Sequence, residues 1–248
     1  MIKLFVTDLD GCISHPFKTP DWPAINAIRE LNLKSKDDTG AIPRLTLCTG
    51  RPFPYAEAVA QWLDIRLPFI FESAGLYHWE GNKIETAVPD DSGSLDMIRE
   101  MRDWLKNSVL PDYQGAIIEF TKMMDAGVVC MDPEIIDQIH NRVLEKVEEM
   151  DPKPEVHATD ISVNILLPGN DKLQGLKLLS ESLEIGLDEM AYIGDSSGDV
   201  PALKQVRMAF APKNARQIAK DHAEVIDKEA TEAVLEAYER IIRFNRES

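Results

Sequence analysis

The sequence predicts an α/β protein, a doubly wound and mainly parallel sheet that carries an inserted α+β domain. Three observations lead there. Short apolar strands alternate with helical segments at both ends of the chain. The alternation breaks off near Thr86–Ser94 and returns after Pro168-Gly169-Asn170. Acidic residues stand where two of the apolar strands end, the edge at which open parallel sheets gather reactive groups.

Ile2–Thr7 reads as a buried strand, apolar and β-branched. Asp21–Leu33 reads as a helix, because Trp22, Ile25, Ile28 and Leu31 recur at helical spacing, Asp21 can cap it and Pro23 suits its first turn. Arg44–Thr49 is a second strand, Tyr55–Leu63 a helix and Pro68–Phe71 a third strand. Leu76–Trp79 and Lys83–Ala87 flank Glu80-Gly81-Asn82 as a hairpin. Pro89-Asp90-Asp91-Ser92-Gly93 reads as a linker. A helix at Leu95–Lys106, strands at Ala116–Lys122 and Gly127–Met131, a helix at Pro133–Met150 and strands at Glu155–Ala158 and Ile161–Leu166 make the insert. Phe120, Lys122, Met123 and Met124 stand near a strand-to-strand turn that either faces the site or, as expected, places the apolar three in the core of the insert and Lys122 in solvent. The closing segments are helical at Leu173–Leu183, Val200–Gln205, Ala215–Lys220 and Thr231–Phe244, and strand-like at Met190–Ile193, Arg207–Phe210 and Glu224–Ile226. Residues 1–83 and 163–248 are thus assigned to a Rossmann-like core, and 84–162 to the inserted domain.

Length and composition suit this plan. The 248 residues are 44% hydrophobic, enough for a sizeable core. The net charge of −16 disfavours nucleic acid and anionic membranes as partners. Ile84–Ser162 holds 18 acidic and 7 basic residues, net −11, against −5 for the rest, and is read as a solvated surface, the alternative being a screen on which anionic substrates enter. An anionic ligand therefore needs a local cation or a metal ion. No apolar run reaches 18 residues, and Met1 leads straight into a strand without a basic segment and cleavage site. Three scattered cysteines, Cys12, Cys48 and Cys130, suit reduced thiols, and the expected location is cytoplasmic. The five histidines lack metal-ligand spacing.

Four segments carry chemistry. The first strand ends in Asp8-Leu9-Asp10-Gly11 and the second in Thr49-Gly50-Arg51. Lys172 stands beside the start of a later helix. Ala191-Tyr192-Ile193 runs into Gly194-Asp195-Ser196-Ser197-Gly198-Asp199. Each alone suits a turn or a helix cap. Together they offer carboxylates for Mg²⁺, plus a hydroxyl and an ammonium for a phosphate dianion.

These motifs, F-V-T-D-L-D-G, L-T-L-C-T-G-R-P, Lys172 and Y-I-G-D-S-S-G-D-V-P-A-L, resemble those of the haloacid dehalogenase superfamily. The branch is that of phosphatases with an α/β cap inserted between the second and third motifs, such as the Cof-like and sucrose-phosphatase-like enzymes. The separation of 23 positions from Lys172 to Asp195 fits the family's usual span. The resemblance implies a Mg²⁺-dependent phosphomonoester hydrolase acting on a small phosphorylated sugar or polyol, with the insert closing over the site. Asp8 would be the nucleophile that forms an aspartyl-phosphate, and Asp10 the acid and base. Thr49, Gly50, Lys172 and Asn214 would bind phosphate, and Asp8, the Asp10 carbonyl, Asp195 and Asp199 would hold the metal. Arg51 either reaches substrate or braces its loop; Asn214 either stands at the phosphate loop or caps a helix. Gly198 replaces the branch's usual Asn, Leu173-Gln174-Gly175 follows the lysine where Gly is usual, and Glu72-Ser73-Ala74-Gly75 replaces E-N-G. A phosphomutase and a non-catalytic protein that binds a phosphorylated ligand are the competing readings. Oligomeric state is not legible.

Overall fold

A computed structural model of the chain describes residues 1–16, 18–38, 40–87, 92–159 and 161–247. The linker expected at Pro89–Gly93 falls outside the described residues over 89–91. Two compact units form, Met1–Glu85 with Asp171–Ser248, and Thr86–Asn170. Among the described residues no helix is long and apolar enough to cross a membrane.

The first unit opens with β1 (Leu4–Thr7), α1 (Trp22–Lys34), β2 (Arg44–Leu47), α2 (Phe53–Trp62) and β3 (Phe69–Phe71). The Asp21 side chain accepts from Ala24 N at 3.1 Å, so the expected cap of α1 forms. α2 starts two residues earlier than expected, because Pro52 and Pro54 suit a helix entrance. β4 (Gly75–His78) pairs antiparallel with β3, and β5 (Lys83–Thr86) follows beside it.

The second unit contains α3 (Ser92–Trp104), β6 (Ile117–Ile118), β7 (Asp125–Val129), α4 (Pro133–Val147), β8 (Glu155–Ala158) and β9 (Ser162–Leu166). Its antiparallel sheet has the order β6-β7-β9-β8. Ala126, Val128, Val163 and Ile165 alternate onto one buried face, where α3 and α4 pack. β9 pairs along its whole length with β7, so the boundary expected at Ser162 cuts the insert's own sheet; the unit runs on to Asn170. The strand expected over Ala116–Lys122 shrinks to Ile117–Ile118, because the chain turns there to bring Lys122 inward. The Lys122 ammonium meets Asp125 Oδ2 at 2.9 Å, Asn164 Oδ1 at 2.8 Å and Glu119 Oε2 at 3.1 Å. The expected placement of this turn is therefore reversed: Lys122 is buried, Phe120 is 79% exposed and Met123 is exposed, while Met124 alone goes inside.

The first unit resumes with α5 (Lys172–Leu183), β10 (Met190–Ile193), α6 (Val200–Leu203), β11 (Met208–Pro212), α7 (Gln217–Lys220), β12 (Glu224–Ile226) and α8 (Ala230–Glu247). Its parallel sheet has the order β12-β11-β10-β1-β2, and a Cys48–Ile70 bridge joins β3 beyond β2. This is the predicted doubly wound α/β architecture. Strand alternation sends Leu4, Val6, Met190 and Tyr192 into a core with α5, α6 and α7. Phe5 faces the other way, its ring 5.2 Å from that of Tyr238 on α8. All three cysteines are buried and free.

α5 packs so closely that a Cβ at Gly175 would overlap the Ser73 carbonyl oxygen and crowd Ile70 Cγ2. The glycine displaced along the lysine segment thus marks a close backbone approach. Gly175→Ala is expected to destabilise the protein by about 2 kcal/mol in chemical denaturation; an unchanged midpoint would contradict that packing.

Candidate active site

β1 is followed along the chain by β2 on one side of the sheet, and β10 by β11 on the other. The loops leaving the C-terminal ends of β1 and β10 therefore diverge and open a crevice between them. Asp8 follows β1 directly, and Asp195 comes two residues after β10. Oxygens of Asp8, Asp195 and Asp199 lie within 4.8 Å of one another. Two glycines permit this crowding. Gly11 adopts φ +72°, and a Cβ there would overlap the Asp195 carboxylate; a Cβ at Gly194 would overlap Asp199 Cβ and Cγ.

Asp199 is buried and saturated. Its Oδ1 accepts from Lys172 Nζ at 2.6 Å and from the Tyr192 hydroxyl at 2.7 Å. Its Oδ2 accepts from the Asp195 and Ser196 amides at 3.1 and 2.9 Å and from Ser196 Oγ at 2.9 Å. Lys172, first residue of α5, also reaches Asp8 Oδ2 at 2.9 Å. Asp171 caps that helix through Gln174 N, which fixes where the lysine starts.

The electrostatics follow from burial and pairing. Desolvation pushes the Asp8 carboxyl well above its ordinary range; Lys172 opposes this, while Asp199, Asp195 and Asp10 add to it. Desolvation and Asp199 push Asp195 up to about 7. Burial also acts to raise Asp199, but Lys172 and the hydrogen bonds from Lys172, Tyr192 and Ser196 hold it below the usual range. Burial acts to lower Lys172, and the two carboxylates beside it win, so its ammonium is held firmly protonated.

The other expected residues fall around this centre. Thr49 is buried, and its Oγ1 accepts from Arg51 N at 3.1 Å, so its own proton remains for a ligand. Gly50 lies between Thr49 and Arg51, and an added Cβ there would sit 3.7 Å from Ser73 Oγ, so its glycine is no steric requirement. The loop is held by Glu72 N donating to Arg51 O and Ser73 N donating to Thr49 O, at 3.0 and 2.9 Å. Glu72 and Ser73 both take left-handed φ values, 45° and 68°, a strain concentrated where the loop is pinned. Arg51 grips Asp10, Nε to Oδ2 at 2.6 Å and Nη2 to Oδ1 at 3.0 Å. Asn214 spends both ends of its amide on backbone: Nδ2 donates to Gly11 O and Oδ1 accepts from Ala230 N, each at 2.9 Å. It braces the turn after Asp10 and joins it to α8. Cys12-Ile13-Ser14 is a buried tight turn, closed by Gly11 N to Ser14 O at 2.8 Å and tied down by Thr231 Oγ1 donating to Ile13 O at 2.6 Å. Sequence reasoning missed Tyr192 and Ser196; a tyrosine in an otherwise apolar buried strand was the available signal, because its hydroxyl needs a partner.

The doubly wound sheet thus carries a lysine-bridged cluster of acids at its switch point. The chain belongs to the haloacid dehalogenase-like hydrolases: the profile of that family matches residues 85–237. Across 238 residues it is 26% identical to the phosphoglycolate phosphatase of Methanopyrus kandleri, covering 94% of each chain. A Thermoplasma acidophilum crystal structure shares its fold at a TM-score of 0.73 and 20% identity, over 97% of this chain and 98% of that one. The sucrose-phosphatase of Synechocystis, solved with sucrose and phosphate, does so at 0.65 and 18%, over 97% and 98%. With phosphatase-named relatives matching nearly its full length, the protein is a phosphoric monoester hydrolase.

Asp8 and Asp195 both bind protons more tightly when folded. Between about pH 4, where Asp195 would lose its proton in the unfolded chain, and about 7, the folded metal-free protein holds the extra proton. Stability therefore falls as pH rises through that window. Metal-free protein is expected to melt roughly 5 °C lower at about pH 8 than at about pH 5.5. The difference should shrink in Asp195→Asn and on adding a divalent cation; a melting point that rises with pH and ignores both would contradict it.

Proposed function

We propose that the protein is a Mg²⁺-dependent phosphomonoester hydrolase that works through a phosphorylated Asp8. The observation that carries this reading is the Lys172 ammonium between Asp8 Oδ2 and Asp199 Oδ1, which sets a nucleophilic carboxylate beside a fixed cation in a buried crevice. The donors suit a hard cation. Asp8 and Asp195 are oxygen ligands that crowd one another, and desolvation leaves both short of positive charge. Asp8, Asp195 and the Asp10 main-chain carbonyl would hold the ion. Asp199, with both oxygens saturated, would act from the outer shell. When bound, the ion supplies the positive charge that relieves carboxylate repulsion and favours phosphoryl oxygens.

An Asp8 oxygen bonds to phosphorus as the bond from phosphorus to the leaving oxygen breaks. Asp10 gives its proton to that oxygen and releases the alcohol. It then takes a proton from water, whose oxygen bonds to phosphorus as the bond to Asp8 breaks. Inorganic phosphate leaves and Asp8 is restored. Lys172 and the Thr49 hydroxyl stabilise the charge on the transferring group. Phosphorylated sugars or polyols are the substrates that the sequence resemblance supports. The Methanopyrus relative's name adds a small phosphorylated hydroxy acid.

Asp8→Asn is expected to lower phosphate release from a generic phosphomonoester by about a thousandfold or more, and chelation should silence the wild type. Wild-type turnover in that variant would remove Asp8 from its role. Rapid isomerisation of a sugar phosphate without free phosphate would point to the mutase instead.

A further inference from the structure

We propose that Tyr192 is a positioning residue for the Lys172 ammonium: by donating to Asp199 Oδ1 it loosens the hold of Asp199 on that ammonium and leaves it for the phosphoryl group. The inference rests on the phosphatase reading above and adds to it the residue that sets the balance of charge behind the nucleophile.

Tyr192 lies inside β10 and is fully buried. Its register neighbours are Val6 on β1 and Ala209 on β11, and neither brings a polar side chain to the hydroxyl. A phenylalanine would fill the same place in the core. The hydroxyl instead meets Asp199 Oδ1 at 2.7 Å. An ionised carboxylate only accepts, so the phenol donates. Asp199 does not need this donor to be paired. Lys172 Nζ already meets Oδ1 at 2.6 Å, and the Asp195 and Ser196 amides and the Ser196 hydroxyl meet Oδ2. The phenol therefore shares with Lys172 an oxygen that the ammonium alone would satisfy. Each donor takes up part of the negative charge on that oxygen, so each bond is weaker than it would be alone.

The ammonium has three N–H groups. One faces Asp199 Oδ1 and one faces Asp8 Oδ2 at 2.9 Å, which leaves the third for a phosphoryl oxygen. The main chain of Lys172 is held in place: Asp171 caps α5, and Cys48 Sγ donates to Lys172 O at 3.9 Å. Only the side chain can swing. When an Asp8 oxygen bonds to phosphorus, that carboxylate gives up its charge and its claim on Lys172 fades. Asp199 and the transferring group then compete for one ammonium. A carboxylate with an undivided Oδ1 would draw the ammonium back to itself. One that shares Oδ1 with a phenol lets the ammonium follow the phosphoryl oxygens. The hydroxyl thus acts most where the charge on the transferring group is greatest, in the transition state rather than in the bound substrate.

The test uses Tyr192→Phe, which removes the hydroxyl and keeps the ring in the core. The substrate is p-nitrophenyl phosphate with Mg²⁺, because its leaving group needs no proton from Asp10. In the variant kcat is expected to fall about tenfold, with KM changed less than about threefold. Orthovanadate, which bonds to the nucleophilic oxygen and copies the five-coordinate transition state, should inhibit about tenfold more weakly, while inhibition by inorganic phosphate changes far less. The ratio of the two inhibition constants does not depend on how much of the enzyme is folded, so a merely structural role for Tyr192 would not move it. Ser196→Ala takes a donor from Oδ2, the oxygen that Lys172 does not touch, and is expected to move the ratio by less than about twofold. Equal shifts in the two variants would make the hydroxyl one donor among several and overturn the inference. A wild-type ratio in Tyr192→Phe would overturn it as well. Either result leaves wild-type turnover, and with it the phosphatase reading, standing. A wild type that cleaves no p-nitrophenyl phosphate would overturn both.

Discussion

The Lys172 ammonium between Asp8 and Asp199 is the contact on which the rest of the site depends. Three carboxylates within 4.8 Å, two of them buried and one half-buried, repel one another strongly, and burial makes the repulsion worse. One ammonium touching two of them offsets much of that cost, and the five donors on Asp199 fix the geometry in which it does so. Asp199 is thereby kept ionised, while desolvation, joined by the charge of Asp199, pushes Asp195 the other way. Both acids are desolvated, and the shifts diverge because Asp199 has the Lys172 charge and its hydrogen-bond donors to offset that cost.

The backbone carries the cost of assembling this centre. Gly11 lets the first acidic loop meet Asp195 of the second, and Gly194 lets that second loop close on its own Asp199, at distances no side chain would allow. Glu72 and Ser73 hold left-handed conformations so that their amides can pin the Thr49–Arg51 loop. Gly175 lets α5, and with it Lys172, come up against the Ser73 carbonyl. One strained turn thus sets the positions of the hydroxyl and of the ammonium. Gly198 is different: an added Cβ would meet nothing nearer than Ser196 Oγ at 3.8 Å. Its glycine is not enforced by space, and the side-chain donor on Asp199 comes from Ser196.

The core was legible because its signals are local and repeated. Apolar strands ending in Asp8, Thr49 and Asp195 state both the sheet and its reactive edge within a few residues. The insert was less legible. Hydropathy assigned Lys122 to water and Phe120 to the interior, and both assignments invert because ion pairing outweighs hydropathy there. Glu119 and Asp125 stand three residues either side of Lys122, yet that spacing identifies a buried trio only once the turn is known. The boundary at Ser162 failed for a related reason: β9 belongs with β7 through long-range pairing, which no local pattern encodes. Asn214 was found at the right loop, but its contacts are with backbone.

The two ion pairs of the site differ in burial and in geometry. A pair as buried as Lys172 with Asp8 is costly to break, since separation strands a charge in a poorly solvated crevice. Arg51 with Asp10 is less buried, but the guanidinium meets both carboxylate oxygens, the geometry in which an exposed pair still holds. Under the proposed reaction Asp10 has to turn its oxygens to the leaving alcohol, so the second pair must yield at a step where the first stays intact. Burial and pairing geometry thus set two different costs within one site, and the step that asks an ion pair to open falls on the pair that water reaches.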